Sequence, residues 1–91
     1  MITNTSFSIA QELTYGQKAV GLQFNPGNNP DVEKIKQKCA ELIDMMDDLR
    51  KSQNTLHDGK GSEGQRLCSI AITELQTSQM WAVKAVTWND K

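Results

Sequence analysis

Apolar residues recur at helical spacing over residues 30–53 of the chain. Their intervals alternate between three and four residues, which is typical of a helix that presents one apolar seam to a neighbour. Charged residues between them, such as Asp44 and Asp48, define an opposite face that we expect to be solvated. The pattern predicts a first long helix over residues 30–53 with a seam at Val32, Ile35, Cys39, Leu42, Met46 and Leu49, widened by Ile43.

A second helical pattern covers residues 63–88 and has no clean polar face. One apolar face suits the seam of the first long helix and consists of Cys68, Ile72, Leu75, Ala82 and Val86. The other apolar face consists of Leu67, Ile70, Ala71, Trp81, Ala85 and Trp88. A helix that is apolar all round must be covered all round, and a chain of 91 residues cannot do this alone. We therefore expect a homo-oligomer in which copies of the chain cover the second face.

Cap and turn residues separate these patterns. Capping-box spacing after Thr14 predicts a short helix over residues 15–21. The pair Pro26 and Gly27 predicts a type II turn, because glycine accepts the positive φ that such a turn requires. Asn29 is the predicted cap of the first long helix, since its side chain can accept from the first free backbone N–H groups.

The predicted fold is all-α: an antiparallel two-helix hairpin with a short N-terminal helix and an extended arm, which assembles into a helical homo-oligomer. We interpret residues 1–91 as a single domain. Its parts are an N-terminal arm with the short helix and turn (1–29), the first long helix (30–53), a loop (54–62) and the second long helix (63–88). Ser62 is the predicted cap of the second long helix.

The charge balance and the cysteines narrow the classes of function. Ten Lys and Arg residues against eleven Asp and Glu residues give a net charge of −1, without the basic stripe typical of proteins that bind duplex nucleic acid. We expect no secretory signal and no contact with a membrane, since no apolar run approaches about 18 residues. Cys39 and Cys68 are predicted to be free thiols in a reducing cytosol, and a disulfide between the helices is the alternative.

No residue pattern favours catalysis. Asp44, Asp47 and Asp48 are close in sequence, but we place them on the wet face of the first long helix. His57 lies in a Gly-rich turn without other ligands at metal-binding spacing. The chain contains no nucleophile elbow, zinc-protease motif or phosphate-binding loop. We therefore expect neither an enzyme nor a bound metal or cofactor.

The segment 15–36 holds the residue types that a planar anionic ligand needs. Rings stack on bases, amides donate and accept hydrogen bonds, and lysines neutralise phosphates. The candidate binding residues are the rings of Tyr15 and Phe24, the cations Lys18 and Lys36, and the turn residues Asn25, Pro26, Gly27 and Asn28. The alternative is that both rings pack against the hairpin and that the Asn-Pro-Gly run is only a turn.

Arg66 is a further candidate, because it falls in the first turn of the second long helix, where the helix dipole disfavours a cation. A residue at odds with its local setting can serve a ligand. The alternative is an ion pair with Glu63. Gln76 and Gln79 are polar residues on an otherwise sheltered helix, and we expect them to form hydrogen bonds across an oligomer interface.

Two strings of the chain resemble the phage anti-CBASS and Thoeris anti-defence hairpin family: LTYGQKAVGLQFNPGNNPDVEKIK at residues 13–36 and SIAITELQTSQMWAVKAVTW at residues 69–88. Members of that family are cyclic-nucleotide sponges. The resemblance implies a hexamer of helical hairpins that captures cyclic dinucleotides such as 3′,3′-cGAMP without cleaving them. Some members also hold cyclic trinucleotides in separate pockets. Such a protein acts in the cytoplasm of the infected bacterial host and keeps the CBASS effector silent.

The resemblance also implies roles for individual residues. Lys36 matches a lysine that contacts phosphate, and Phe24 falls near an aromatic residue that stacks on a base. Arg66 matches an arginine of the trinucleotide pocket. Two other hypotheses stay open at this point: a helical adaptor that inhibits a host protein through the second face of the second long helix, and an enzyme that degrades the nucleotide.

Overall fold

The chain forms three helices in the residues that the structure, a computed structural model, describes: 12–56 and 63–89. Helix α1 covers Tyr15–Val20, α2 covers Pro30–Leu56 and α3 covers Glu63–Val86. This part of the chain contains no strand, and the predicted all-α hairpin is confirmed. Helix α2 continues three residues beyond the predicted end at residue 53. The arm at residues 1–11 and the Ser62 cap lie outside the described residues.

Helix α1 begins and ends through local chemistry. The Thr14 hydroxyl accepts a hydrogen bond from the Gln17 N–H at 3.1 Å, and the Gln17 side chain accepts from the Thr14 N–H at 2.9 Å. This is the predicted capping box. Gly21 ends the helix with φ at 63°, a left-handed conformation that favours glycine. The chain therefore turns away from α1 at Gly21.

The turn before α2 differs from the predicted type. The Asn28 N–H donates to the Asn25 carbonyl at 2.9 Å, which closes a four-residue turn. Gly27 does not have the positive φ of a type II turn, and the left-handed residue is instead Asn28, at 54°. The type II prediction was therefore wrong, because Asn28 tolerates the left-handed conformation that the turn needs. Asn29 caps α2 as predicted, accepting from the Asp31 N–H at 2.8 Å.

The buried stripe of α2 is rotated from the predicted seam. Leu42 and Leu49 were expected in the seam, but both are exposed. The stripe rotates because α2 must contact α1 as well as α3, so that small and polar residues face the interior. The buried residues of α2 are Val32, Lys36, Ala40, Ile43 and Asp47.

Helix α3 follows the prediction at its centre. Cys68 and Ile72 are buried against α2, whereas Val86, expected in the same face, is exposed near the end of the helix. The described residues leave most of the second apolar face uncovered, and its exposed members are Leu67, Ile70, Trp81, Ala85 and Trp88. Gln79 is buried, although it is polar.

Helix α1 packs against both long helices. The Gly16 N–H donates to the Asp44 carboxylate at 2.7 Å, and the missing side chain of Gly16 lets α1 approach the Ala40 carbonyl. The Gln76 amide donates to the Ala19 carbonyl at 3.3 Å. Two expectations are thereby corrected: Asp44 is half-buried rather than solvated, and Gln76 forms its bond within the chain rather than across an interface.

Arg50 links α2 to α3. Its guanidinium donates to Asp47 at 2.6 Å and to the Ser69 hydroxyl at 3.0 Å. The hydrogen bond from Arg50 holds the pKa of Asp47 below its ordinary value, while the same bond raises the pKa of Arg50. Asp47 is therefore buried in this link, and its predicted place on a wet face was wrong.

The cysteines are both free thiols, with Cys39 half-buried and Cys68 buried. Burial raises the pKa of the Cys39 thiol. No helix in the described part of the chain is long and apolar enough to cross a membrane.

Candidate functional site

Phe24 lies between two grooves on the surface of the hairpin. It follows the turn that ends α1, and 72% of the residue is exposed. An aromatic residue this exposed contributes little to the core, and its ring is available to a partner or ligand. Phe24, Lys36 and Val83 line both grooves, so the two share a wall.

The first groove, here called the turn groove, lies between the 24–29 turn and the end of α3, and encloses about 320 Å³. Its walls are mostly apolar. The lining residues are Phe24, Asn25, Pro26, Gly27, Asn29, Val32, Lys36, Val83 and Thr87.

The second groove, here called the helix groove, lies between α1 and α3 and encloses about 480 Å³. It is more open than the turn groove. The lining residues are Lys18, Ala19, Val20, Gly21, Phe24, Lys36, Gln79, Met80 and Val83.

Lys36 is a buried lysine, with 5% of the residue exposed. Its ammonium donates to the Gly21 carbonyl at 2.9 Å and to the Phe24 carbonyl at 2.5 Å. The nitrogen also lies 5.4 Å from the centroid of the Phe24 ring, within the range of a cation–π contact. Burial lowers the pKa of this ammonium, because it loses hydration. Lys36 therefore fixes the position of Phe24 in the free chain, and its contact with phosphate stays a prediction.

Lys18 is the more accessible cation of the helix groove. It lies in the last turn of α1 and is exposed. Among the described residues it takes part in no ion pair. Its charge is therefore available to an anion at the mouth of this groove.

The candidate residues of the 24–29 turn have different roles: some stabilise the turn, and others line the turn groove. The Asn25 side chain donates to the Asn29 carbonyl at 2.9 Å and accepts from the Asn29 N–H at 3.1 Å, so it braces the turn. Pro26 and Gly27 line the turn groove. Asn28 is exposed but lines neither groove.

Tyr15 does not line either of the grooves that Phe24 lines. Its ring lies 5.8 Å from the Arg50 guanidinium, measured to the ring centroid. It lines a separate depression with Thr14, Asp44, Asp47, Asp48 and Lys51. The two rings considered together in the sequence thus lie on different surfaces of the hairpin.

Arg66 lies on a third surface. Its guanidinium donates to both oxygens of Glu63, at 2.6 and 3.0 Å, which is the ion pair considered as the alternative. This bond raises the pKa of Arg66 and lowers the pKa of Glu63. Arg66 also lines a shallow groove of about 310 Å³ with Ser69, Ile70, Thr73 and Glu74.

Gln79 belongs to the helix groove, although the sequence interpretation placed it in an oligomer interface. Only 6% of the residue is exposed, and its burial is within the single chain. The signal was present in the spacing: the buried face of α3 jumps by seven residues from Leu75 to Ala82, and Gln79 fills the missing seam position. Gln79 was left out of the predicted face because its side chain is polar, although its spacing fits.

The chemistry of the grooves suits binding. An exposed ring, a free cation and a buried amide meet around apolar side chains, a combination found where small ligands are held. In the described residues no three His, Cys, Asp or Glu side chains come close enough to hold a metal ion.

Comparison with known proteins identifies the family. The model of the Acb2/Tad1 hairpin domain matches residues 17–87, which is more than half of the chain and contains every residue that lines the turn and helix grooves. No curated protein and no solved structure matches the chain significantly. The chain therefore belongs to the Acb2/Tad1 hairpin family, whose general role is that of an anti-defence sponge.

Proposed function

We propose that this protein captures 3′,3′-type cyclic dinucleotides such as 3′,3′-cGAMP and holds them intact. Capture removes the messenger before it reaches the CBASS effector in the cytoplasm of the infected host. The observation that carries the proposal is the family match over residues 17–87, which includes Phe24 and both of its grooves.

The ring of Phe24 supplies the stacking surface. Stacking of a base on an aromatic side chain contributes about 1–3 kcal/mol. Because the Lys36 ammonium holds the Gly21 and Phe24 carbonyls and lies 5.4 Å from the centroid of the Phe24 ring, the ring is oriented before the ligand arrives. A preorganised ring loses less entropy on binding than a mobile one.

The cation of Lys18 supplies charge for a phosphate of the ligand. It is exposed at the helix groove, beside the exposed ring of Phe24. Pro26 and Gly27 supply apolar and backbone surface on the other side of the ring.

Tight capture requires more than these groups. A nanomolar dissociation constant corresponds to about 12 kcal/mol, beyond what one ring and one lysine contribute. We propose that a second copy of the chain closes the groove, in a homo-oligomer that we expect to be a hexamer. The exposed residues Met80 and Trp81 lie at and beside the helix groove, where a second copy would exclude water and strengthen each polar contact.

A capture-and-release assay tests the proposal. The protein is mixed with 3′,3′-cGAMP and filtered, and the retained ligand is recovered by heat denaturation and analysed by chromatography. We expect intact ligand, and a linear product would instead indicate an enzyme. No retained nucleotide from a panel of cyclic dinucleotides and cyclic ADP-ribose species would refute the proposal.

Variants locate the site in the same assay. We expect Phe24→Ala to weaken capture about five-fold or more, given the stacking contribution of about 1–3 kcal/mol. Tyr15→Ala is the matched control, since it removes an exposed ring outside both grooves. A loss in the control and none in Phe24→Ala would place the ligand elsewhere. Arg66→Ala with a cyclic trinucleotide tests the separate role that the resemblance implies for Arg66.

The adaptor hypothesis uses the same exposed face of α3 for a host protein. It requires a chain that stays monomeric with Trp81 and Trp88 exposed. Sedimentation of the purified protein distinguishes the two, because a stable homo-oligomer leaves this face unavailable to another protein.

A further inference from the structure

We propose that Gln79 reads the edge of a nucleobase that stacks on Phe24 in the helix groove, with adenine as the preferred base. This inference rests on the proposed capture of cyclic dinucleotides and deepens it, because it names a residue that determines specificity. The observations that carry it are the burial of Gln79, its lack of a partner and its position in the groove.

The side chain of Gln79 is buried without a hydrogen bond to any described residue. Its amide atoms are not among the fully enclosed polar atoms, so they reach the surface of the helix groove that Gln79 lines. The neighbouring Gln76 differs, because its amide donates to the Ala19 carbonyl. Nothing among the described residues holds the Gln79 amide, so its donor and its acceptor remain available to a molecule in the groove.

Gln79 occupies a seam position of α3, where an apolar residue is expected. An apolar side chain at this position would pack against α2 without loss of hydrogen bonds. Leu75 and Val83, one turn away on either side, are such residues and are half-buried. A glutamine at this position gives up part of that packing for an amide that faces the groove, where a bound group can pair with it.

The surroundings of the amide suit a base. Phe24 forms one wall of the groove, and Met80 and Val83 add apolar surface. A base stacked on the ring would present its edge toward the floor of the groove, where Gln79 lies. Hydrogen bonds in an apolar pocket are stronger than those in water, so one amide there can discriminate between bases.

The amide carries a donor and an acceptor side by side. On the edge that carries N7, adenine presents the complementary pair, an amino group beside a ring nitrogen, whereas guanine presents two acceptors, so an amide that meets this edge bonds adenine in a bidentate manner and guanine through one bond. Lys18 at the same groove leaves a cation for the phosphate, so that stacking, edge recognition and charge come from three different side chains.

Calorimetry with cyclic di-AMP and cyclic di-GMP on the full chain tests the inference. We expect Gln79→Met to weaken binding of cyclic di-AMP about five-fold or more, with a smaller loss for cyclic di-GMP. Gln79→Glu, which keeps the shape but removes the N–H donors, should weaken cyclic di-AMP at least as much. Gln37→Met is the matched control, because Gln37 is an exposed glutamine on α2 outside both grooves.

Thermal unfolding without ligand separates recognition from support of the fold. We expect Gln79→Met to unfold at the same or a higher temperature than the wild type, since methionine fills the seam position with an apolar side chain of similar length. A lower unfolding temperature together with weaker binding would overturn the inference, as would equal losses for both nucleotides or no loss. A wild type that binds no cyclic dinucleotide would instead refute the proposed function.

Discussion

Lys36 shows how a charged residue becomes part of the interior of so small a protein. The helical pattern of α2 places it near the apolar seam, but its long side chain reaches two carbonyls of the turn after α1. The Gly21 carbonyl also accepts from the Phe24 N–H at 2.9 Å, whereas within the described residues the Phe24 carbonyl accepts from the ammonium alone. The sequence indicated Lys36 as a site residue. The direction of its side chain depends on where α1 packs, and residue spacing alone does not reveal that.

Replacing Lys36 with methionine should therefore destabilise the fold as well as weaken capture. Both carbonyls lose a charged donor, and the Phe24 carbonyl is left unsatisfied, at a cost of about 1–3 kcal/mol that is offset in part because a buried charge is removed. We expect a net loss of about 1–3 kcal/mol in urea unfolding. Lys38→Met, on the exposed side of α2, is the control and should change stability little. Equal stability of the two variants would contradict the role of Lys36.

Asp47 gives the fold a dependence on pH. Its pKa lies below the ordinary value of 3.8, chiefly because Arg50 donates to its carboxylate. The folded chain therefore takes up this proton less readily than the unfolded chain, so the stabilisation is present above the ordinary pKa and is lost as the pH falls through the folded value. We expect the unfolding free energy to fall more between about pH 6 and about pH 3 in the wild type than in Asp47→Asn.

Asp48 provides the control for the pH dependence attributed to Asp47. Asp48 is an exposed carboxylate on the same helix, and Asp48→Asn should keep the pH dependence of the wild type. If Asp47→Asn and Asp48→Asn give parallel curves, the link between Arg50 and Asp47 does not contribute to stability.

At the scale of elements, α1 is positioned by a close backbone contact as well as by Val20, which packs into the core with Ala40, Ile43 and Ile72. Gly16 lies against the backbone of α2 at Ala40, and its N–H donates to Asp44. The caps of α1 and α2 were predictable because they depend on residues two or three apart. The rotated stripe of α2 was not, because Leu42 and Leu49 fit the spacing as well as Ala40 and Ile43 do, and only the docking of α1 decides between them.

Gly16→Ala tests this docking. Alanine favours a helix by about 1 kcal/mol over glycine, but the added carbon would collide with the Ala40 carbonyl, a backbone group that cannot move aside. Overpacking of this kind costs about 1–3 kcal/mol, so we expect a net loss of stability in denaturant unfolding. Gly27→Ala should be nearly neutral, since nothing lies within 4 Å of the added carbon. A Gly16→Ala variant as stable as the wild type would contradict the contact.

At the scale of the whole molecule, the described residues leave most of one face of α3 uncovered. Trp81 is 65% exposed, and Lys84 lies 5.7 Å from the centroid of one of its rings. Trp88, Leu67 and Ile70 extend the apolar surface along the helix. The sequence predicted this face because α3 is apolar all round, but the number of copies that cover it depends on crossing angles, which no periodicity contains.

Trp81→Ala should weaken assembly. Large aromatic residues at the centre of an interface contribute about 2 kcal/mol or more, so we expect sedimentation to shift toward the single chain at low concentration. Gln37→Ala, a change on an exposed polar side of α2, should sediment like the wild type. An unchanged profile for Trp81→Ala would count against this face as the interface.

The two thiols allow the rate at which the hairpin opens to be measured on the natural chain. Cys68 is buried between the long helices, whereas Cys39 is half-buried and carries a raised pKa. A maleimide or similar reagent can modify Cys68 only after α3 separates from α2, so its labelling rate counts those separations. A nucleotide or a second copy that binds the closed hairpin should lower the labelling rate of Cys68. Mass spectrometry of the labelled chain measures that rate without an engineered probe.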